Sequence, residues 1–293
     1  MSNVISYQVG RAKITKIPEM AIPEIPGASL FPQWNTEEAD TALAGLSEEF
    51  FSPDGSQLAI STHSWLIETG THTVLIDTAS GNGKSRPSNP GFHQLDTRWF
   101  DNLRAAGVEA EKVDFVLLSH LHVDHVGWCT HLENGEWVPT FPNARYLFSA
   151  AEYEFYSNPD NVQDPSKGIF ADSIDPVVAA GLDTRLAASE AFPIPGFQLI
   201  RTPGHSHDHY SISFTSAGDQ AFFWGDVMHH PVQIRKPEWS SVFCEAPEMA
   251  TASRKQAMNH ALAHQALIFT THFAGSSVGR IQQDASGLTW LPQ

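Results

Sequence analysis

The chain has 293 residues, with 17 Lys and Arg against 33 Asp and Glu, so its formal charge is −16. That acidic excess repels nucleic-acid phosphates and anionic membrane surfaces, and no basic stripe offsets it, so neither is expected as a partner. With 41% hydrophobic residues, the chain can bury a sizeable core, and no stretch is disordered by composition.

No apolar run nears the roughly 20 residues that span a bilayer. The opening "MSNVISYQVG" lacks the charged and apolar regions of a secretory signal, so the expected location is cytoplasmic. Cys129 and Cys244 then read as ordinary thiols in a reducing compartment rather than as a disulfide framework.

In chain order, "QVGRAKITKIPEM" predicts β-structure, and "QLAISTHSWLIETGTHTVLIDT" predicts a hairpin around Gly70 with alternating apolar positions. "ASGNGKSRPSNPGF" is rich in turn formers and predicts a loop. "LDTRWFDNLRAAG" has helical spacing, an N-cap candidate in Asp96 or Thr97, and Gly107 as a stop. "DFVLLSH" is a short continuous apolar run, the pattern of a strand covered on both faces. Further on, "ARYLFSAAEYEFY" predicts a strand and then a helix, and "GIFADSIDPVVAAG" a helical stretch. "FQLIRT", "HYSISFTS" and "QAFFWGD" predict three short strands. "PEMATASRKQAMNHALAHQA" predicts the longest helix, and "LIFTTH" a strand after it. Strands cluster in each half with helices between and after them, which favours two mixed β-sheets with helices outside, in four layers. No linker divides the chain, and one domain over residues 1–293 is expected.

Several of these strands end on a side chain that can bind a metal or move a proton. Asp77 ends "TVLID", His120 follows "DFVLLS", His205 follows "FQLIRT", Asp226 ends "AFFWGD" and His272 ends "LIFTTH". Groups gathered at strand ends can converge on one crevice. "HLHVDH" concentrates His120, His122, Asp124 and His125 in six positions. In an extended segment His120 and His122 can point the same way and serve one ion, while Asp124 and His125, a turn further on, serve a second. His205 can complete the first site, His272 the second, and Asp226 can bridge the two. Neutral imidazole and carboxylate suit Zn2+ and related ions. Two such ions about 3.5–4 Å apart would acidify a bridging water, giving hydroxide near neutral pH.

The plain alternatives are a His-rich polar loop at residues 120–125, a turn residue at His205, an N-cap at Asp226 and an edge histidine at His272. Asp77 reads either as support for a ligand or as a turn residue. His63, His72, His93, His131, His207, His209, His229, His230, His260 and His264 read first as structural or solvated.

With those residues in place, the chain resembles the metallo-β-lactamase superfamily, through "HLHVDH" (that family's H-x-H-x-D-H), "TPGH", "GD" at Asp226 and the late His272. The resemblance runs over about residues 14–281. It implies an α/β fold, a four-layer αββα sandwich of two mixed β-sheets, with a binuclear metal site that usually holds zinc. It also suggests a homodimer. Asp124 together with His272 matches the two-metal hydrolase branch rather than the lactamases proper, whose second site commonly uses cysteine. Acyl-homoserine lactonases of that branch typically carry a tyrosine three residues after the bridging aspartate. Here that position is His229, which can still donate a proton. "WGDVMHH" and the late "ATASRKQAM…THFAGSSVGR" are more similar to the methyl parathion hydrolase-like group, whose members hydrolyse aryl esters, lactones or phosphotriesters.

The expected function is therefore a dizinc hydrolase of a neutral ester or lactone, working by attack of a metal-bridging hydroxide, with Asp124, Asp226 and His229 as the catalytic side chains. His120, His122, Asp124, His125, His205, Asp226 and His272 are the expected metal ligands. The alternative is an organophosphate hydrolase. A glyoxalase II-like thioesterase is disfavoured by the scarcity of basic residues near the motifs, a diiron relative by the lack of a glutamate-containing ligand set, and a non-catalytic metal-binding protein by the filled ligand positions. Trp128, Phe273, Phe50, Phe51, Phe92 and Phe170 can wall the site, core packing being the first reading for each. Should several line it, an uncharged hydrophobic substrate follows.

Overall fold

The computed structural model describes residues 4–187, 192–284 and 287–293. Its contacts divide the chain into two units, one of Met1–Met20 with Thr62–Ala191 and one of Ala21–Ser61 with Phe192–Gln293. Strands β1 (Ser6–Val9), β2 (Ala12–Pro26), β3 (Gln57–Glu68), β4 (Thr73–Ile76) and β5 (Phe115–Leu117) form the first part of a mixed sheet. A separate two-stranded hairpin follows, β6 (Thr130–Glu133) with β7 (Glu136–Pro139), and then β8 (Arg145–Ser149) and β9 (Asp183–Leu186) complete the sheet in the order β1-β2-β3-β4-β5-β8-β9. β3 and β4 are antiparallel, as the expected hairpin requires, whereas β4, β5, β8 and β9 run parallel. β2 and β3 carry the chain between the units, and each unit has its own core.

The parallel strands of the first unit are short and apolar because side chains cover them. Val116 and Leu117 of β5 are fully buried, in line with the continuous "FVL" run. The helix Trp99–Ala105 adds Trp99 and Leu103 to this core. Its N-cap is Arg98, without a side-chain hydrogen bond, so neither Asp96 nor Thr97 caps it. Thr97 is held instead by Asn82, whose Oδ1 accepts from both its N–H and its hydroxyl. Ser149 caps the helix Ala150–Tyr156 by accepting from the N–H groups of Ala151 and Glu152.

In the second unit, β10 (Phe197–Arg201), β11 (Tyr210–Ser216), β12 (Asp219–Phe223), β13 (Leu267–Phe269), β14 (Val278–Asp284) and β15 (Gly287–Pro292) form a sheet in that order. All neighbours are antiparallel except β12 and β13. The helix Pro247–His264 spends its 18 residues linking that parallel pair and buries Ala257, Met258 and Ala261 in the unit's core. Both sheets are thus mixed, as the sequence reading expected.

Core packing is what the large aromatics do. Trp128 stacks on Trp99 with ring centroids 5.3 Å apart, and its indole N–H donates to Glu19. Phe50 and Phe273 are fully buried in the core of the second unit. Phe92 and Phe170 lie against the core of the first unit, and Phe51 against that of the second. Both cysteines are free and buried. Among the described residues no helix is long and apolar enough to cross a membrane.

Candidate metal centre

In the first unit, β5 ends at Leu117 and the chain leads to His122, which is extended at φ −89° and ψ 166°. A single helical turn, Val123–Val126, then carries Asp124 and His125. The His120 ring lies 4.6 Å from that of His122 and 4.0 Å from that of His125, centroid to centroid. The turn is pressed against the loop after β4, where Gly127 donates its N–H to Ala79 O at 2.7 Å. A Cβ on Gly127 would overlap the backbone of Ser80, so only glycine allows this approach.

Asp77, just beyond β4, holds the segment from below. It is 1% exposed. Its Oδ1 accepts from Ser119 N–H at 2.8 Å, and its Oδ2 lies 2.8 Å from Ser119 Oγ and 3.0 Å from His125 Nδ1. A carboxylate only accepts, so the proton of His125 sits on Nδ1 and its Nε2 keeps a lone pair. That Nε2 is 3.6 Å from Asp124 Oδ1. Ser119 Oγ also lies 3.0 Å from His120 Nδ1. Two further groups fix the loop: Glu152 accepts from Leu121 N–H, and Ser166 Oγ from Val123 N–H.

In the second unit, His205, Asp226, His229 and His272 come together at the ends of β10, β12 and β13. Asp226 Oδ2 is 3.3 Å from His205 Nε2, 3.4 Å from His229 Nε2 and 3.0 Å from His272 Nε2. Each of the four is at most 4% exposed. His205, Asp226 and His229 alone offer three donor atoms within 4.8 Å of one another. The backbone of Asp226 is held by His209, whose Nε2 accepts the Asp226 N–H at 3.0 Å. The proton of that ring is therefore on Nδ1, which donates to Thr202 Oγ1 at 2.9 Å.

These side chains fit a cation. Ser61 O lies 2.9 Å from His272 Nδ1, and a carbonyl can only accept, so Nδ1 carries a proton. His272 Nε2 then presents a lone pair to Asp226 Oδ2, two acceptors 3.0 Å apart. That arrangement calls for a shared cation, either a second proton on the ring or a metal ion. Two ligands of one tetrahedral zinc, each about 2.0–2.2 Å from the metal, stand about 3.3–3.6 Å apart. The 3.3 Å between His205 Nε2 and Asp226 Oδ2 matches that spacing, and the 3.0 Å from His272 Nε2 is slightly shorter.

Burial dominates the electrostatics here. It pushes the His229 pKa down despite the opposing Asp226 carboxylate. It also lowers that of His230 to about 4, and His230 serves structure by contacting Phe50 O at 2.8 Å. The Cys244 thiol is pushed up; it lies 3.8 Å from His205 Nδ1. Cys244, read from sequence as an ordinary thiol, and Ser241, Gln233 and the Ser61 carbonyl, which no motif singles out, all contact these histidines. Gln233 Oε1 accepts from His229 N–H at 2.6 Å. Its place four residues on, in a helical turn, was the one signal available.

Residues 59–272 match the description of the metallo-β-lactamase superfamily. An N-acyl homoserine lactonase from a Bacillus species is 25% identical over a 171-residue alignment that covers 54% of this chain. The match spans 60% of that lactonase's own length. Among solved structures, hydrolase AbOPH of the beta lactamase superfamily superposes with a TM-score of 0.82 at 24% identity, over 100% of this chain and 98% of that one. AidC, a dizinc quorum-quenching lactonase solved with the product N-hexanoyl-L-homoserine, gives 0.78 at 20% identity, over 99% and 97%. At these identities the two structures establish the shared fold.

Proposed function

Since the chain belongs to the metallo-β-lactamase superfamily, we propose that it is a binuclear metal-dependent hydrolase of neutral, apolar esters or lactones. His120, His122 and His205 would hold one divalent ion, Asp124, His125 and His272 the other, and Asp226 would bridge them. The observation that carries this reading is the meeting of three imidazole nitrogens within 3.4 Å of one buried Asp226 oxygen. The strand-end segment of the first unit would supply the remaining donors, with the tautomer of His125 set by Asp77. Zinc is the expected metal, because the donors are all imidazole and carboxylate.

When bound, such a pair of ions supplies a lowered pKa for water and Lewis-acid polarisation of the scissile C=O. The side chains do the rest. Asp77 and Ser61 O hold the Nδ1 protons of His125 and His272, which leaves Nε2 of each ring to face a cation. Asp124 and His229 are the groups to hand a proton to the leaving oxygen. His229 stands where the lactonase branch would carry a tyrosine, and its ring can take the tyrosine's part as a proton donor. A charge of −16 disfavours anionic substrates. Phe243 is 43% exposed and its ring centroid is 6.1 Å from that of His229, giving the second unit an apolar surface beside its histidines. A small uncharged substrate with a hydrophobic part follows.

The test is hydrolysis of matched panels of lactones, aryl acetates and phosphotriesters by zinc-loaded and chelator-stripped protein. Turnover of lactones or aryl esters that vanishes on stripping and returns with zinc is expected. Turnover confined to phosphotriesters would replace the substrate reading with the organophosphate one, and full activity without metal would refute both.

A further inference from the structure

His205 has a second partner whose chemistry the proposed centre does not use. Residues 241–246 turn back over the end of β10 and are pinned there by the backbone: Glu245 N–H donates to His205 O at 3.1 Å and Ala246 N–H to Gly204 O at 2.8 Å. Gly204, at φ +118°, also abuts the first turn of the helix Pro247–His264, where a Cβ would overlap the backbone N of Ala250. The approach brings Cys244 Sγ to 3.8 Å from His205 Nδ1, on the ring nitrogen opposite the one that faces Asp226. Ser241 Oγ lies 3.5 Å from Cys244 Sγ and 3.4 Å from His229 Nε2.

The hydrogen-bond directions along this line can be assigned. His229 Nδ1 is buried with no hydrogen-bond partner, and an unmatched N–H costs more than an unmatched lone pair on a ring nitrogen. The single proton of a neutral His229 therefore sits on Nε2, facing two acceptors, Asp226 Oδ2 and Ser241 Oγ. Ser241 is left to donate its hydroxyl proton to Cys244 Sγ. If His205 is to present Nε2 to a cation, its own proton has to be on Nδ1, and Sγ is the acceptor that lies there. At 2% exposure for His205, 3% for Ser241 and 8% for Cys244, water has little room to take the thiol's place.

We propose that Cys244 and Ser241 form a brace that fixes the proton of His205 on Nδ1 and so reserves its Nε2 for a metal ion. Cys244 is in this view a positioning residue for the site, where the sequence alone offered only an ordinary thiol. The idea rests on the proposed metal centre for its consequence, but the tautomer itself is a property of the second unit.

Two variants separate acceptor from filler. Cys244→Val keeps the volume and removes the acceptor, whereas Cys244→Ser keeps an acceptor. Long-range 1H–15N spectra of metal-free, histidine-labelled protein report which ring nitrogen carries each proton, and Co2+ titration followed by its visible absorption reports affinity. The wild type and Cys244→Ser are expected to show a proton on His205 Nδ1, whether Nε2 is bare or shares a second proton with Asp226. Cys244→Val is expected to move that proton to Nε2 and to weaken Co2+ binding by about 10- to 100-fold, the usual loss when the partner of a ligating histidine is removed. A folded Cys244→Val with the wild-type tautomer and affinity would overturn the brace. If the valine variant does not fold, a folded Cys244→Ser whose His205 proton has left Nδ1 would overturn it equally, and retention on Nδ1 supports it. A wild type that binds no Co2+ would instead sink the metal centre, while its spectra still decide the role of Cys244.

Discussion

Asp77→Asn removes a charge while leaving the backbone at ease. Asp77 has φ 54°, a left-handed conformation that asparagine tolerates and that would cost alanine roughly 1 kcal/mol or more. The aspartate receives three hydrogen bonds, from Ser119 N–H, Ser119 O–H and His125 Nδ1–H. A hydrogen bond to a charged acceptor contributes about 1.5–3 kcal/mol and a neutral one about 0.5–1.5, so losing the charge costs about 1 kcal/mol per bond. The metal-free variant should be destabilised by about 3 kcal/mol, read as a lowered midpoint in urea. A second effect is more specific. With Oδ1 kept on Ser119 N–H, the new amide NH2 faces His125 Nδ1, two donors toward each other. His125 relieves the clash by moving its proton to Nε2, the nitrogen proposed to bind metal. Zinc affinity should fall by about 10- to 100-fold, measured by competition with a chromogenic chelator. Wild-type zinc affinity in a folded Asp77→Asn protein would refute the tautomer reasoning.

Other consequences are quicker to check. Asp226→Ala removes the oxygen that three histidines face, so elemental analysis should find at most one zinc per chain and esterase turnover should drop at least a hundredfold; a variant that keeps two zincs would contradict the bridging role. Lys84 is buried, with Nζ 2.6 Å from Thr130 Oγ1 and 2.7 Å from Asp172 O, and burial lowers its pKa from 10.5 to about 7 even beside Asp172. Between those values the unfolded chain binds a proton that the folded chain lacks, so this group makes stability rise with pH across the window. Lys84→Met should flatten the rise in urea midpoint between pH 7.5 and 9.5, and an unchanged slope would show that Lys84 is charged when folded. Gly204→Ala combines a strained φ of +118° with a backbone overlap and should lower the melting temperature or abolish soluble expression, whereas a wild-type melt would deny the close approach of residues 204 and 250.

The parts of this protein written in local pattern were legible in its sequence. Strand ends could be read because apolar runs stop abruptly at His120, His205, Asp226 and His272, and a polar side chain after a buried run has no packing reason. The β6–β7 hairpin shows in the sequence only through the turn pair Asn134 and Gly135 of "ENGEW", because strands of four residues are too short for an alternating pattern to stand out. The cap of the helix Trp99–Ala105 was misassigned because Thr97 is claimed by Asn82, fifteen residues earlier, and no local signal shows such a partner. Ser61 O, Gln233 and Cys244 escaped for the same reason. A carbonyl carries no residue type, and a lone thiol looks like any small buried side chain. Packing decides those contacts, and packing is not periodic.

A crystal grown with zinc and measured at the zinc absorption edge tests the central claim most directly. Two anomalous peaks about 3.5–4 Å apart are predicted, one bound by His120, His122 and His205, the other by Asp124, His125 and His272, with Asp226 touching both. A single peak, or peaks lying away from these side chains, would contradict it.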